Sequence, residues 1–212
     1  MAFVDAGGYA DERWWQPKDW EWIRAAGIAH PMFWTYQHDQ WFWRGMFELV
    51  PLPAAWPVYV SHAEAAAFAR WRGCRLPTEA EYHRAAYSSP VGGERSFPWC
   101  ETRPASRHGA FGSGSWDPTP VGSHPAGDTP AGVSDLVGNG WEWTSSAFSP
   151  FPGFEPLSAC AGYSADFFDG RHYVLLGASW ATDARLVRRS FRKWFQPHYP
   201  YVFAKFRCVR DG

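Results

Sequence analysis

From Ser88 to Gly140, 17 of 53 residues are glycine or proline. Proline removes an amide donor and collides with the preceding helical turn, while glycine surrenders the most backbone freedom on ordering. No helical period survives over this quarter of the 212 residues, which disfavours a helical bundle. Such a stretch is either disordered or an ordered set of loops. Trp99, Phe111, Trp116 and the run Val133-Ser-Asp-Leu-Val137 offer buried anchors that a disordered linker lacks, so order is expected. The rest of the composition agrees: 15 tryptophans, with aromatics at 19% of residues, suit a loop-rich α+β domain pinned by rings.

Regular structure is marked by local devices. Pro17 sits where a first helical turn tolerates it and Gly27 where a helix can stop, predicting a short helix near 17–26. Ser61-His-Ala-Glu64 is a capping box, because the serine hydroxyl can accept the N3 amide while the glutamate reaches back. It heads a helix from Ala65 to Trp71, closed by Gly73. Thr78-Glu-Ala-Glu81 repeats the device and starts a helix to about Tyr87. Residues 56–60, Tyr173–Leu176 and Tyr201–Val209 have strand composition.

Twenty basic and 21 acidic residues leave a net charge of −1, so no whole-molecule field attracts nucleic acid or an anionic membrane. No apolar run approaches the roughly 20 residues of a membrane span. The four cysteines are widely spaced and the N-terminus lacks a signal-peptide pattern, which reads as a cytoplasmic protein. None of the eight histidines lies three to five residues from another, so no self-contained metal motif is present. There is no G-x-S-x-G elbow and no phosphate-cradling loop.

Gly138-Asn-Gly-Trp-Glu-Trp-Thr144, Cys74-Arg-Leu-Pro-Thr-Glu-Ala-Glu81 and Phe203-Ala-Lys-Phe-Arg-Cys208 together resemble the signature of the sulfatase-modifying-factor family. Three further blocks are similar to the branch of non-haem iron sulfoxide synthases that make ergothioneine, or the related ovothiol precursor. They are Tyr163–Gly170, Leu175–Asp183 and Arg189–Tyr199. The resemblance implies a divergent C-type-lectin-like fold over residues 1–212 as a single domain, one expected to lack its own N-terminal segment. It also implies joining of a thiol to the imidazole of trimethylhistidine, with Fe(II) and O2. The alternatives are an ovothiol-type 5-histidylcysteine sulfoxide synthase and a non-catalytic lectin-like binding module. Formylglycine generation is disfavoured, because no cysteine lies between Cys160 and Cys208, where that branch carries its copper-holding pair.

Under this resemblance Trp194 falls where the family holds the quaternary ammonium, a cation that cannot donate a hydrogen bond and is best met by aromatic faces. Tyr163 matches a tyrosine reaching the same substrate, and Lys193 is the polar neighbour. Asn139 and Glu142 match a loop that binds structural calcium in some members. Eight basic residues lie between Asp183 and Asp211, and one or two of them are expected to touch substrate carboxylates.

The sequence also departs from the pattern. Members using γ-glutamylcysteine carry an acid directly after the tryptophan and an arginine four positions later; here these are Phe195 and Tyr199, which favours cysteine as sulfur donor. Cys160 occupies the place of an active-site tyrosine in some members and is not taken as a nucleophile. The family's iron is held by three histidines of an upstream helical domain, and no such H-x-x-x-H-x-E pattern occurs here. The chain is therefore expected to be the substrate-binding C-terminal part of a longer or split enzyme, combined with that domain in cis or trans.

Overall fold

The computed structural model describes residues 1–89 and 92–211; Pro90 and Val91 of the glycine- and proline-rich stretch lie outside it. The helices are α1 (Ala2–Asp5), α2 (Pro17–Ala26), α3 (His62–Trp71), α4 (Glu79–Tyr87) and α5 (Gly162–Ala165). The strands are β1 (Trp34–Gln37), β2 (Gln40–Arg44), β3 (Leu49–Pro51), β4 (Gly140–Ala147), β5 (Tyr173–Ala178), β6 (Lys193–Phe195) and β7 (Ala204–Lys205). β1-β2-β3 form an antiparallel meander; the second sheet runs β6-β5-β4-β7, with β7 parallel to β4. The architecture is α+β with long connecting loops.

Both capping boxes form. Ser61 and Thr78 each accept the N3 amide, and Glu64 and Glu81 return to the cap amides. Gly27 closes α2 in the left-handed conformation, at φ 63°. Trp143 is fully buried in the central strand β4, its indole donating to the Val60 carbonyl at 2.9 Å. Tyr82 of α4 is also buried and donates its hydroxyl to the Leu136 carbonyl, fastening a helix to the loop that precedes β4.

Three expectations need correction. Over Tyr201–Val209 only Ala204–Lys205 pairs as a strand, because the segment lies alongside β4 just at Trp141 and Glu142 before turning to bridge Arg75 through Val209. Residues 56–60 form no strand, although the Val60 amide donates to Ala204. Trp116 is 46% exposed rather than buried; its ring meets the exposed Phe47 at 5.8 Å and only the edge of the core at Trp180, 6.2 Å away. The other anchors do pin the loops: Trp99 stacks on His108 at 4.4 Å, and Phe111 packs on Val137, Ala178 and Val187. Among the described residues no helix is long and apolar enough to cross a membrane.

Candidate functional site

β6 is the edge strand of the second sheet, paired with β5 through Val174 opposite Trp194. Strand alternation sends Trp194 to one face, against Phe148 and Phe167, and Lys193 and Phe195 to the other. An open cavity of about 540 Å³ wraps this edge. Trp194 lies flat on Phe148, with centroids 4.2 Å apart and planes at 8°, and Tyr163 meets it edge-on at 5.7 Å and 80°. Phe167 approaches at 5.6 Å. On the other side Phe195 stacks on Tyr199 at 4.8 Å and 4°, with Tyr201 edge-on to Tyr199 at 5.5 Å.

No lysine, arginine, aspartate or glutamate lines this cavity; five of its eight lining residues are aromatic. Negative charge sits one layer back. His172 Nδ1 lies 2.9 Å from Asp169 Oδ1, and that hydrogen bond holds the Asp169 carboxyl below its usual range. His198 Nε2 lies 2.7 Å from Asp19 Oδ1 of α2, and its ring stacks on Trp22 at 4.7 Å and 9°. Such a surface suits a cation that offers no hydrogen-bond donor, since ring faces attract it and no ion pair competes.

Of the residues singled out in the sequence, Tyr163, Trp194 and Phe195 come together here. Lys193 does not: its ammonium lies 5.4 Å above the Phe191 ring on the opposite face from Trp194. None of the eight basic residues of 183–211 lines the cavity. Arg185, Arg189, Arg192 and Arg207 pair instead with Asp183, Glu94, Glu79 and Glu142, because each has a carboxylate in reach within the fold. Phe167, His172, Gln196 and His198 were missed. Phe167, four residues after Tyr163, carried a helical-spacing signal; His198 carried none, since its partner is 179 residues away.

The calcium expectation does not fit. Glu142 is buried, and its carboxylate accepts from the Lys205 ammonium and from Arg207 Nε at 2.6 Å. The Asn139 side chain is spent on the Thr119 backbone, accepting at 2.8 Å and donating at 2.9 Å. The buried Lys205 and the half-buried Arg207 already neutralise this carboxylate, so a further cation is repelled. Iron, which the resemblance implies, likewise finds no ligand set of its own here. Among the described residues no three His, Cys, Asp or Glu side chains converge, and both cavity histidines are engaged by carboxylates.

Two small sheets, two boxed helices and ordered loops around an aromatic cavity at a sheet edge define a loop-rich α+β domain. Residues 1–212 match the sulfatase-modifying factor enzyme 1-like domain, and the chain belongs to that family. It is 39% identical over 211 residues to hercynine oxygenase of Mycobacterium tuberculosis, covering 99% of this chain and 49% of that protein. It is 34% identical over 219 residues to ergothioneine biosynthesis protein 1 of Neurospora crassa, covering 79% of this chain and 25% of that protein. The chain thus spans about half the length, or less, of these relatives. The solved structure of PvdO from Pseudomonas aeruginosa superposes with a TM-score of 0.51 at 18% identity, over 84% of this chain and 69% of that one. This likeness shows the fold alone, and that fold is the α+β, lectin-like one expected from the sequence.

Proposed function

We propose that this chain is the substrate-holding part of an ergothioneine-forming, iron- and O2-dependent sulfoxide synthase, taking trimethylhistidine in the cavity at the edge of β6. The observation that carries the reading is the uncharged aromatic lining around Trp194. A trimethylammonium group keeps its charge without donating hydrogen bonds, so Trp194 and Tyr163 meet it better than a carboxylate that would have to be desolvated. The 39% identity to a protein named hercynine oxygenase supports the same acceptor. The metal, on this reading, is held by three histidines outside this chain and supplies the oxidation; Trp194, Tyr163 and Phe167 orient the acceptor and exclude water.

The stacked pair Phe195 and Tyr199 favours cysteine over γ-glutamylcysteine, because it offers no ionic partner for a γ-glutamyl arm. Sulfur also packs favourably against ring edges, at about 0.3–1.5 kcal/mol per contact. Calorimetric titration of the folded chain with trimethylhistidine tests the assignment. Saturable binding is expected, weakened by about tenfold in Trp194→Ala and much weaker for unmethylated histidine. Absence of binding by folded wild-type protein, or equal affinity for histidine, overturns it.

A further inference from the structure

Beside the aromatic cavity lies a larger cleft of about 890 Å³ with a different character. Four basic side chains reach it from separate parts of the chain: Lys18 in α2, Arg70 in α3, Arg75, and Arg171 ahead of β5. The chain carries a net charge of −1, so this is a local concentration of positive charge. Arg75 has counter-ions of its own, Glu81 at 2.6 Å and Asp211 at 2.8 Å. Asp19 is the one acid lining the cleft, and His198 engages it.

Lys18, Arg70 and Arg171 form no salt bridge among the described residues. Arg70 is half-buried, with one nitrogen donating to the Trp14 carbonyl, and burial pulls its pKa down. Asp19 offsets this only in part, acting through space without a salt bridge to Arg70 among the described residues. The cleft also has a flat wall, where the buried His62 stacks on Tyr173 at 3.8 Å and 17°. Burial lowers the His62 pKa to about 3, so at neutral pH this wall is uncharged.

We propose that this cleft binds a small organic oxyanion, its carboxylate or phosphate held by Arg70 and Arg171 and its planar or apolar body lying against the Tyr173–His62 stack. The planar guanidinium fork matches either oxyanion, and neutralising three cations that face one space removes their mutual repulsion. The volume falls within the range usual for small-molecule sites, about 300–1,000 Å³. The cleft shares Gln196 and His198 with the aromatic cavity but not Trp194, Tyr163 or Phe195, so it stands independently of what that cavity takes.

The test is calorimetry of the chain at low salt with benzoate, phenyl phosphate and, as a neutral body of similar shape, benzyl alcohol. At least one anion is expected to bind saturably and benzyl alcohol is not; the tighter anion identifies carboxylate or phosphate as the preferred head. Arg171→Gln, at an exposed position, should weaken binding by at least about fivefold and Arg70→Gln by at least about tenfold, while Trp194→Ala leaves it unchanged. Should Arg70→Gln fail to fold, Arg171→Gln decides alone. The proposal is overturned if neither anion binds the folded wild-type chain, or if Arg171→Gln binds as the wild type does.

Discussion

The ammonium of Lys205 and the carboxylate of Glu142 meet inside the core, directly opposite each other across the parallel β4–β7 ladder. Both residues are under 7% exposed, and Arg207 joins the same carboxylate from the rim. Burial alone would raise the Glu142 pKa, but the two cations outweigh it and hold the carboxyl below its ordinary value.

Glu142→Gln should therefore be severely destabilising, by about 3–5 kcal/mol, because it leaves Lys205 buried without a counter-ion. Urea unfolding monitored by tryptophan fluorescence reads this directly. Since the folded pKa lies below the unfolded one, this stabilisation is complete above about pH 4.5 and is lost as pH falls further. A variant replacing all three partners, Glu142→Leu with Lys205→Met and Arg207→Met, should recover much of the loss and flatten the acid limb.

His62 gives a second pH dependence with the same direction and a different window. Its folded pKa is lowered to about 3 by burial, whereas the unfolded ring titrates near 6.5. The unfolded state binds the extra proton, so stability should fall by up to about 1.4 kcal/mol per pH unit on acidification from pH 6.5. Urea midpoints across pH 4–8 check this. In His62→Gln the slope between pH 6.5 and 4.5 should become shallower.

Tyr163 separates ring from hydroxyl. At 62% exposed it contributes little to the core, so Tyr163→Ala should leave the melting temperature within about 2 °C while weakening trimethylhistidine binding by about three- to tenfold. Tyr163→Phe should bind nearly as the wild type does if the ring face is what the ligand uses. Thermal melts and calorimetry on the same samples distinguish the two.

Gly177 in β5 sits at φ +88°, and a Cβ there would lie 2.5 Å from the Leu136 carbonyl oxygen. That neighbour is backbone and cannot swing away. Gly177→Ala is expected to cost at least about 2 kcal/mol, combining left-handed strain with displacement of the loop that Tyr82 fastens. A chain of this size should show it as a drop of about 4–8 °C in melting temperature.

What was legible in the sequence was local. Ser61 with Glu64, and Thr78 with Glu81, specify helix starts three residues apart, and both formed as read. The β1–β3 meander was missed because its tryptophans pair across strands rather than marking their own segment. Trp194 and Phe195 were visible as aromatic neighbours, but only the register with Val174 reveals that they face opposite sides and that Lys193 leaves the cavity. Glu142 looked like a loop ligand because its true partners, Lys205 and Arg207, lie more than 60 residues on. A carboxylate's role is set by which cation the tertiary fold brings to it, and spacing cannot show that.

The contact between Asp19 and His198 joins positions 179 residues apart at the wall shared by both cavities. The basic cleft is not complete until α2 and the β6–β7 loop have closed on one another, and that closure fixes the His198 ring that the aromatic cavity shares. Occupancy by any ligand there is consequently a readout of finished folding, and a ligand at a hundred times its dissociation constant would add about 2.7 kcal/mol to the closed form alone. Cleavage by a protease in the 27–33 connection between α2 and β1 should become ligand-protected even though that segment lines neither cavity.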